Sequence, residues 1–373
     1  MSGDPTQSTD RNSRNAALVL GMSLPADTVL YLVLPIYASQ FGISLAEAGM
    51  LLAANRLIRI AGYSTVARLY AKHGDRAACT IAAVIASICA LGYSFFSGFW
   101  ALVIVRLLWG LSYAALNLST QALATADLAG ASRRTGQSRA LIALGPMLAL
   151  PLSAFFAEQF SPRPFFLVLA LIALCSIPLA LKLPAGQGHV RPQGRRFKLP
   201  GSLDIWSFVE GLVLDGLFIV GLSFLGQSIA PTGAVLIAGL LLALRYLAEI
   251  LLSPVGGQVA EKYGPEHMLI MLSLMTAIAL VGFGAGWLWV CAAAVVILRA
   301  LQLPLIAPIV AHRYPGPQRV HALAARSIWR DIGAGVGPIL AGFLLPVTPS
   351  LVLYGAAAAC LAMAALACRS DRR

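Results

Sequence analysis

VARLYAKHGDR, at residues 66–76, returns as GGQVAEKYGPE at 256–266, a shift of 190 residues that lays Lys72 on Lys262 and Gly74 on Gly264. A shift of 192 lays Gly145-Pro146 on Gly337-Pro338. Each string interrupts a long apolar stretch. A repeat of about half the 373-residue chain implies two copies of one multi-helix unit.

The sequence is 59% hydrophobic and 11% charged, with a mean hydropathy of +0.81. A soluble core of this length cannot hide so much apolar surface, so lipid must be the solvent for much of it. A membrane span needs roughly 20 apolar residues. In the first half such stretches lie near 16–38, 45–67, 77–96, 98–122, 138–158 and 164–182. In the second they lie near 203–226, 232–256, 267–285, 287–311, 328–346 and 349–368. The expected fold is all-α, with 12 transmembrane helices in two six-helix bundles related by pseudo-twofold symmetry. The polar residues 1–14 read as a disordered tail and 369–373 as a second one. Bundles over 15–182 and 203–368 are joined by a Gly-, Pro- and Arg-rich linker at 183–202.

Basic residues fix the expected orientation, because cytoplasmic loops hold the Lys and Arg excess. One set of breaks carries Arg11 and Arg14, then Arg68, Lys72 and Arg76, then Arg133, Arg134 and Arg139, then Lys182 and the linker's Arg191, Arg195, Arg196 and Lys198. It continues with Lys262, with Arg313, Arg319, Arg326 and Arg330, and with Arg369, Arg372 and Arg373. The opposite breaks hold Arg163 alone. Both termini and the linker are therefore expected to be cytoplasmic at a plasma (inner) membrane. The net charge of +12 belongs to this topology and does not call for nucleic acid.

The six cysteines are scattered singly along apolar segments, without metal-site or disulfide spacing. No metal site, no cofactor and no nucleophile–base pair is indicated, so an enzyme is not expected.

A charge at mid-bilayer costs at least about 2.5–3.5 kcal/mol, which makes buried charges candidate functional groups. Asp27 in span one corresponds to Asp215 in span seven, Arg56 in span two to Arg245 in span eight, and Arg106 in span four to Arg299 in span ten. Arg56 and Arg59 lie on one helix face with no acid within a turn, so Asp27 is expected to pair with them. Arg245 and Glu249, one turn apart, can satisfy each other. Glu210 ranks below Asp215. Arg106, Gly110, Tyr113, Asn117 and Gln121 form a stripe on one face of span four, expected to line a cavity. Tyr31, Asn55, Tyr63 and Gln302 are candidates to complete a polar substrate surface. Gly145, Pro146, Gly337 and Pro338 are expected to permit close packing and bending.

With these motifs assembled, the chain resembles the major facilitator superfamily over essentially its whole length. In that family the loop between spans two and three reads Gly-x-Leu-Ala-Asp-Arg-x-Gly-Arg-Arg. The matching string here runs from Ala67 to Arg76 and keeps Lys72, Gly74 and Arg76, with Ala67 and Ala71 in place of the Gly and the Asp. The second copy keeps Gly257, Glu261, Lys262 and Gly264, which makes Glu261 the better candidate for a gating charge. Arg106 to Gly110 is similar to the Arg-x-x-x-Gly element of proton-coupled members. Gly145-Pro146 lacks the Gly-Gly that follows it in antiporter-type members. The resemblance implies a monomeric secondary transporter of a small molecule, embedded in lipid. Its expected activity is proton-coupled efflux of a zwitterionic or anionic solute, with Asp27, Asp215 and Arg106 in proton coupling. A proton-coupled importer and a transport-inactive sensor are the alternatives.

Overall fold

A computed structural model describes residues 5–185, 200–221, 234–316 and 318–370. Most of the linker, with Arg191, Arg195, Arg196 and Lys198, lies outside the described residues, as do the loop around Gly226 and residues Arg372 and Arg373. All described elements are helical, and they give the 12 spans of two six-helix bundles.

Span one is built of Pro5–Ser23 and Pro25–Val33. Spans two and three run from Leu45 to Phe95, broken at Gly74, and span four is Phe99–Ala124. Span five is Ala131–Gln159, and span six combines Pro162–Leu174 with Ile177–Leu181. In the second half, span seven is Ser202–Glu210 continued by a π-helical stretch, Gly211–Leu217. Spans eight and nine are Ala234–Tyr263 and Pro265–Gly284. Span ten joins Leu288–Gln302 to Ile306–Arg313, span eleven is Gln318–Leu344 and span twelve is Ser350–Ser370.

Local chemistry explains several boundaries. Span two begins on a capping box: the Ser44 amide donates to Glu47 Oε2 at 2.7 Å and the Glu47 amide donates to Ser44 Oγ at 3.3 Å. Spans two and three separate at Gly74, where φ is +75°, and spans eight and nine separate at Gly264, where φ is +84°. A side chain at either place would be strained, so the repeated glycine is a backbone requirement met in both halves.

The polar N-terminal segment departs from expectation. Residues 5–14 are helical and extend span one. Span five supplies the reason: Asp10 is met by Arg133 at 3.1 Å and by Arg134 at 3.5 Å, and the buried Ser13 and Ser138 hydroxyls share a hydrogen bond of 3.0 Å.

Eight of the helices are long and apolar enough to cross a membrane by themselves. Among the described residues, four spans stand outside that set: the Leu45 arm with Arg56 and Arg59, span seven with Asp215, span eight with Arg245 and Glu249, and span eleven with Arg330 and Asp331. These helices spend part of their surface on an internal polar site. Outward-facing Ile104, Leu148, Leu152, Leu171, Ile278 and Phe343 present an apolar surface to lipid. Trp100, Trp287 and Trp289 are exposed at the end opposite the basic loops, where indole rings favour the membrane interface.

The halves meet closely at the basic face. A Cβ on Gly136 of span five would lie 2.4 Å from the Ser253 carbonyl oxygen, and one on Gly257 of span eight 2.4 Å from that of Ser132. Arg319 donates to the Thr125 carbonyl at 2.5 Å. Tyr63, Val66 and Ala67 of span two join the apolar core of the second half. The basic end of the interface is thus closed.

Candidate functional site

Between the halves, at mid-depth, lies a cavity of about 380 Å³. Its walls come from spans one, two, four and five of the first half and from spans seven, eight, ten and eleven of the second.

Each half contributes the same carboxylate–guanidinium unit, built from its first and fourth spans. In the first half Arg106 Nη1 donates to Asp27 Oδ1, and in the second Arg299 Nη2 donates to Asp215 Oδ1. The Asn55 amide also donates to Asp27, at 3.2 Å. Arg106 is 0% exposed and lies behind Asp27, with its Nε on the Leu51 carbonyl at 3.1 Å and its guanidinium 5.2 Å from the Tyr31 ring centroid. A guanidinium keeps its charge, so burial this complete requires the carboxylate in front of it.

This geometry corrects the expected partner of Asp27. Arg56 and Arg59 both line the cavity, but their side chains turn toward the second half. Arg59 pairs with Asp331 at 3.1 Å and stacks 4.7 Å from the Tyr113 ring centroid, while Arg56 donates to the Ala334 carbonyl. Span four, two helices along the chain, reaches Asp27 first because its Arg106 projects from the core of the same bundle.

The polar stripe of span four is also redirected. Tyr113 lines the cavity. Gly110 instead packs on Asn55 and Ile58 of span two, and the Asn117 amide donates to the Tyr63 hydroxyl at 3.4 Å. That stripe chiefly joins spans two and four, since polar side chains between helices find partners there in the absence of water. Gln302 similarly donates to Thr276 Oγ1 at 2.8 Å and reaches a small recess beside the cavity.

The second half is richer in charge. Asp215 is met by Arg299, by Arg330 at 2.6 Å and by Arg245 at 3.8 Å. Arg245 also lies 3.6 Å from Glu249. Glu210 meets Arg330 at 3.1 Å and Arg299 at 3.9 Å, so it shares the network of Asp215.

Arg330 and Arg139, read from sequence as loop residues, are cavity residues, and Asp331 was missed altogether. Span eleven starts at Gln318, so Arg330 sits about 18 Å along the helix at 1.5 Å per residue. The repeat held a signal for them: the shift that lays Gly145 on Gly337 lays Arg139 on Asp331.

Lys72 and Lys262 are exposed on the basic face, and Arg76 donates from Nε to the Leu183 carbonyl at 2.8 Å. Glu261 accepts the Arg133 amide at 3.1 Å, at the start of span five. A Cβ on Gly145 would lie 2.1 Å from the Gly21 carbonyl oxygen, and one on Gly337 2.4 Å from that of Leu212. Pro146 and Pro338 lie inside spans five and eleven.

In total the cavity wall presents Arg56, Arg59, Arg139, Arg245, Arg299 and Arg330 against Asp27, Asp215, Glu249 and Asp331. Among the described residues, Arg56 and Arg139 face no carboxylate within ion-pair distance, which leaves the site cationic.

Comparison with known proteins agrees with this architecture. No match is found among curated proteins. Among solved structures, the human organic anion transporter MFSD10 (TETRAN) is similar over 98% of this chain and 100% of its own, with a TM-score of 0.78 and 15% identity. The proton:xylose symporter XylE, bound to 6-bromo-6-deoxy-D-glucose, is similar over 96% of this chain and 94% of its own, with a TM-score of 0.72 and 14% identity. At such identity the likeness speaks for the fold. The family model of the Major Facilitator Superfamily matches residues 16–235 and again 207–373, and the chain belongs to that superfamily.

Proposed function

We propose that this chain is a secondary transporter that exports a small organic anion by proton antiport across the plasma (inner) membrane. The observation that carries the reading is the surplus of arginine over carboxylate in the mid-depth cavity. A cationic, partly desolvated cavity attracts anions and rejects cations. One structural neighbour is an organic anion transporter, which agrees in kind with an anionic solute, and another is a proton symporter, which agrees with proton coupling but not with antiport.

Asp27 and Asp215 divide the work unequally. Asp215 is held by Arg299, Arg330 and Arg245, whereas Asp27 has the single guanidinium of Arg106 and an amide. Asp27 is therefore the proton-exchanging carboxylate, with Arg106 holding its charge between protonation events. Asp215 organises the arginines that receive the solute. Tyr31, Asn55, Arg56, Arg59, Tyr113, Arg245 and Arg299 form the solute surface. The basic face is cytoplasmic, so the closure at Glu261 and Arg319 seals the cavity from the cytoplasm. The protein works as a monomer in lipid.

The test is flux in proteoliposomes containing the purified protein, with an imposed proton gradient and a panel of small carboxylates, phosphates, amines and neutral solutes. Anions should move against the proton gradient, and amines of equal size should not. A preference for amines, or anion flux indifferent to the gradient, would overturn the proposal.

A further inference from the structure

Beside the main cavity, toward the basic face, lies a narrow recess lined by Arg139, Arg299, Arg326 and Arg330 together with Glu210 and Gln302. Arg139, Arg299 and Arg330 belong to both spaces, so the recess is continuous with the cavity. Glu210 is the one carboxylate that lines it, and it is engaged by Arg330 and Arg299. Arg326 is only 6% exposed, and its Nε has no hydrogen-bond partner. Among the described residues no carboxylate comes within ion-pair distance of Arg326 or Arg139. A guanidinium cannot shed its charge by losing a proton, and a buried charge needs a counter-charge. Arg139 comes from span five of the first half and Arg326 from span eleven of the second, so two like charges face one space across the interface that must close.

We infer that this recess is a subsite for an oxyanion, the carboxylate or phosphate end of a transported solute. It rests on the reading of the cavity as an anion site and adds a second anionic position to it. The recess, at about 20 Å³, is too small for a whole solute, whose body would occupy the cavity of about 380 Å³. The solute class is therefore a dianion, such as a dicarboxylate or a phosphorylated acid. One end lies beside Arg56 in the cavity and the other between Arg139 and Arg326. An anion there cancels repulsion between the halves and favours closure of the basic face.

The test is equilibrium binding of radiolabelled inorganic phosphate and, separately, acetate to purified full-length protein at constant ionic strength. Arg326→Gln should weaken both by roughly tenfold or more, the loss expected when a charge-assisted contact is removed. Arg326→Lys should recover most of the affinity, and Arg11→Gln, on the exposed basic face, should leave it unchanged. Binding to Arg326→Gln within twofold of wild type overturns the inference. Should Arg326→Gln not fold, anomalous scattering from selenate bound to wild-type crystals decides. A peak between Arg139 and Arg326 supports the subsite, and its absence overturns it. Proteoliposome flux is scored separately: phosphate bound at Arg326 without anion flux refutes the transport proposal alone, and anion flux without this subsite refutes the inference alone.

Discussion

Arg59 of span two and Asp331 of span eleven meet at 3.1 Å, a buried ion pair that ties one half of the molecule to the other at mid-depth. Each belongs to a different rigid bundle, so the pair exists only while the halves are close at this level. Removing one partner strands a buried charge, at a cost of about 3–5 kcal/mol in the conformation that buries it. Asp331→Asn should therefore shift the population toward a conformation open at the basic face. Spin labels on exposed Ala129 and Pro315 report it as a longer distance, and the charge-swapped Arg59→Asp, Asp331→Arg protein should return toward the wild-type distance. An unchanged distance in Asp331→Asn would remove the pair from conformational control.

Asp27 is expected to separate coupling from binding. Asp27→Asn keeps the shape and the contact with Asn55 but cannot carry a proton. Gradient-driven flux should fall by roughly tenfold or more while equilibrium binding changes by less than about threefold, the pattern of a step removed without loss of ground-state affinity. Arg106→Met should disturb this site more than Arg56→Ala, because Arg106 is the group in contact with the carboxylate. Full gradient-driven flux in Asp27→Asn would move the proton site elsewhere.

Helix crossings set a third expectation. Gly145 approaches the span one backbone at Gly21, and Gly337 approaches span seven at Leu212 and Gly216, so the same crossing is built twice. In each case the obstructing atom is backbone, which has little freedom to yield. Gly145→Ala and Gly337→Ala should each destabilise by about 1–3 kcal/mol, the usual cost of overpacking. Thermal unfolding in detergent measures it. Gly335→Ala, where nothing lies within 4 Å of a new Cβ, should be close to neutral.

The repeat and the span count were legible because both rest on local chemistry. Gly74 and Gly264 mark turns that only glycine makes easily, and lipid imposes the apolar lengths between them. The symmetric charges were legible as a set, because charge in a hydrophobic run stands out. Their pairing was legible only where it is local, in Arg245 and Glu249 one turn apart. Asp27 reaches Arg106 rather than Arg56 by virtue of which helix projects into the bundle core, a tertiary fact. Arg139, Arg326, Arg330 and Asp331 were obscured differently. Span eleven starts at Gln318, ahead of the apolar stretch from 328 that hydropathy marks, and its Arg330 and Asp331 meet counter-charges on spans seven and two. The same mechanism made residues 5–14 look disordered, since their partners Arg133, Arg134 and Ser138 lie far along the chain.

The last expectation concerns the basic-face closure, where the two halves are not equivalent. Glu261 of span eight accepts the Arg133 amide at 3.1 Å, at the N-terminal end of span five, so a negative charge meets the positive end of a helix dipole across the interface. The site is solvent-exposed, which limits the contribution to about 0.3–1 kcal/mol. Glu261→Gln should then raise the basic-face-open population by a factor of about two to five, using 1.4 kcal/mol per tenfold change. The effect should shrink at high salt, because exposed charges are screened beyond about 10 Å at 0.1 M ionic strength. The repeat position of Glu261 in the first half is Ala71, which carries no charge. Ala71→Glu should therefore supply the missing counterpart and lower the open population by a similar factor. Spin-label distances between Ala129 and Pro315 at low and high salt measure both variants. Opposite, salt-sensitive shifts are expected, and two shifts of the same sign would mean that helix-end electrostatics do not govern this closure.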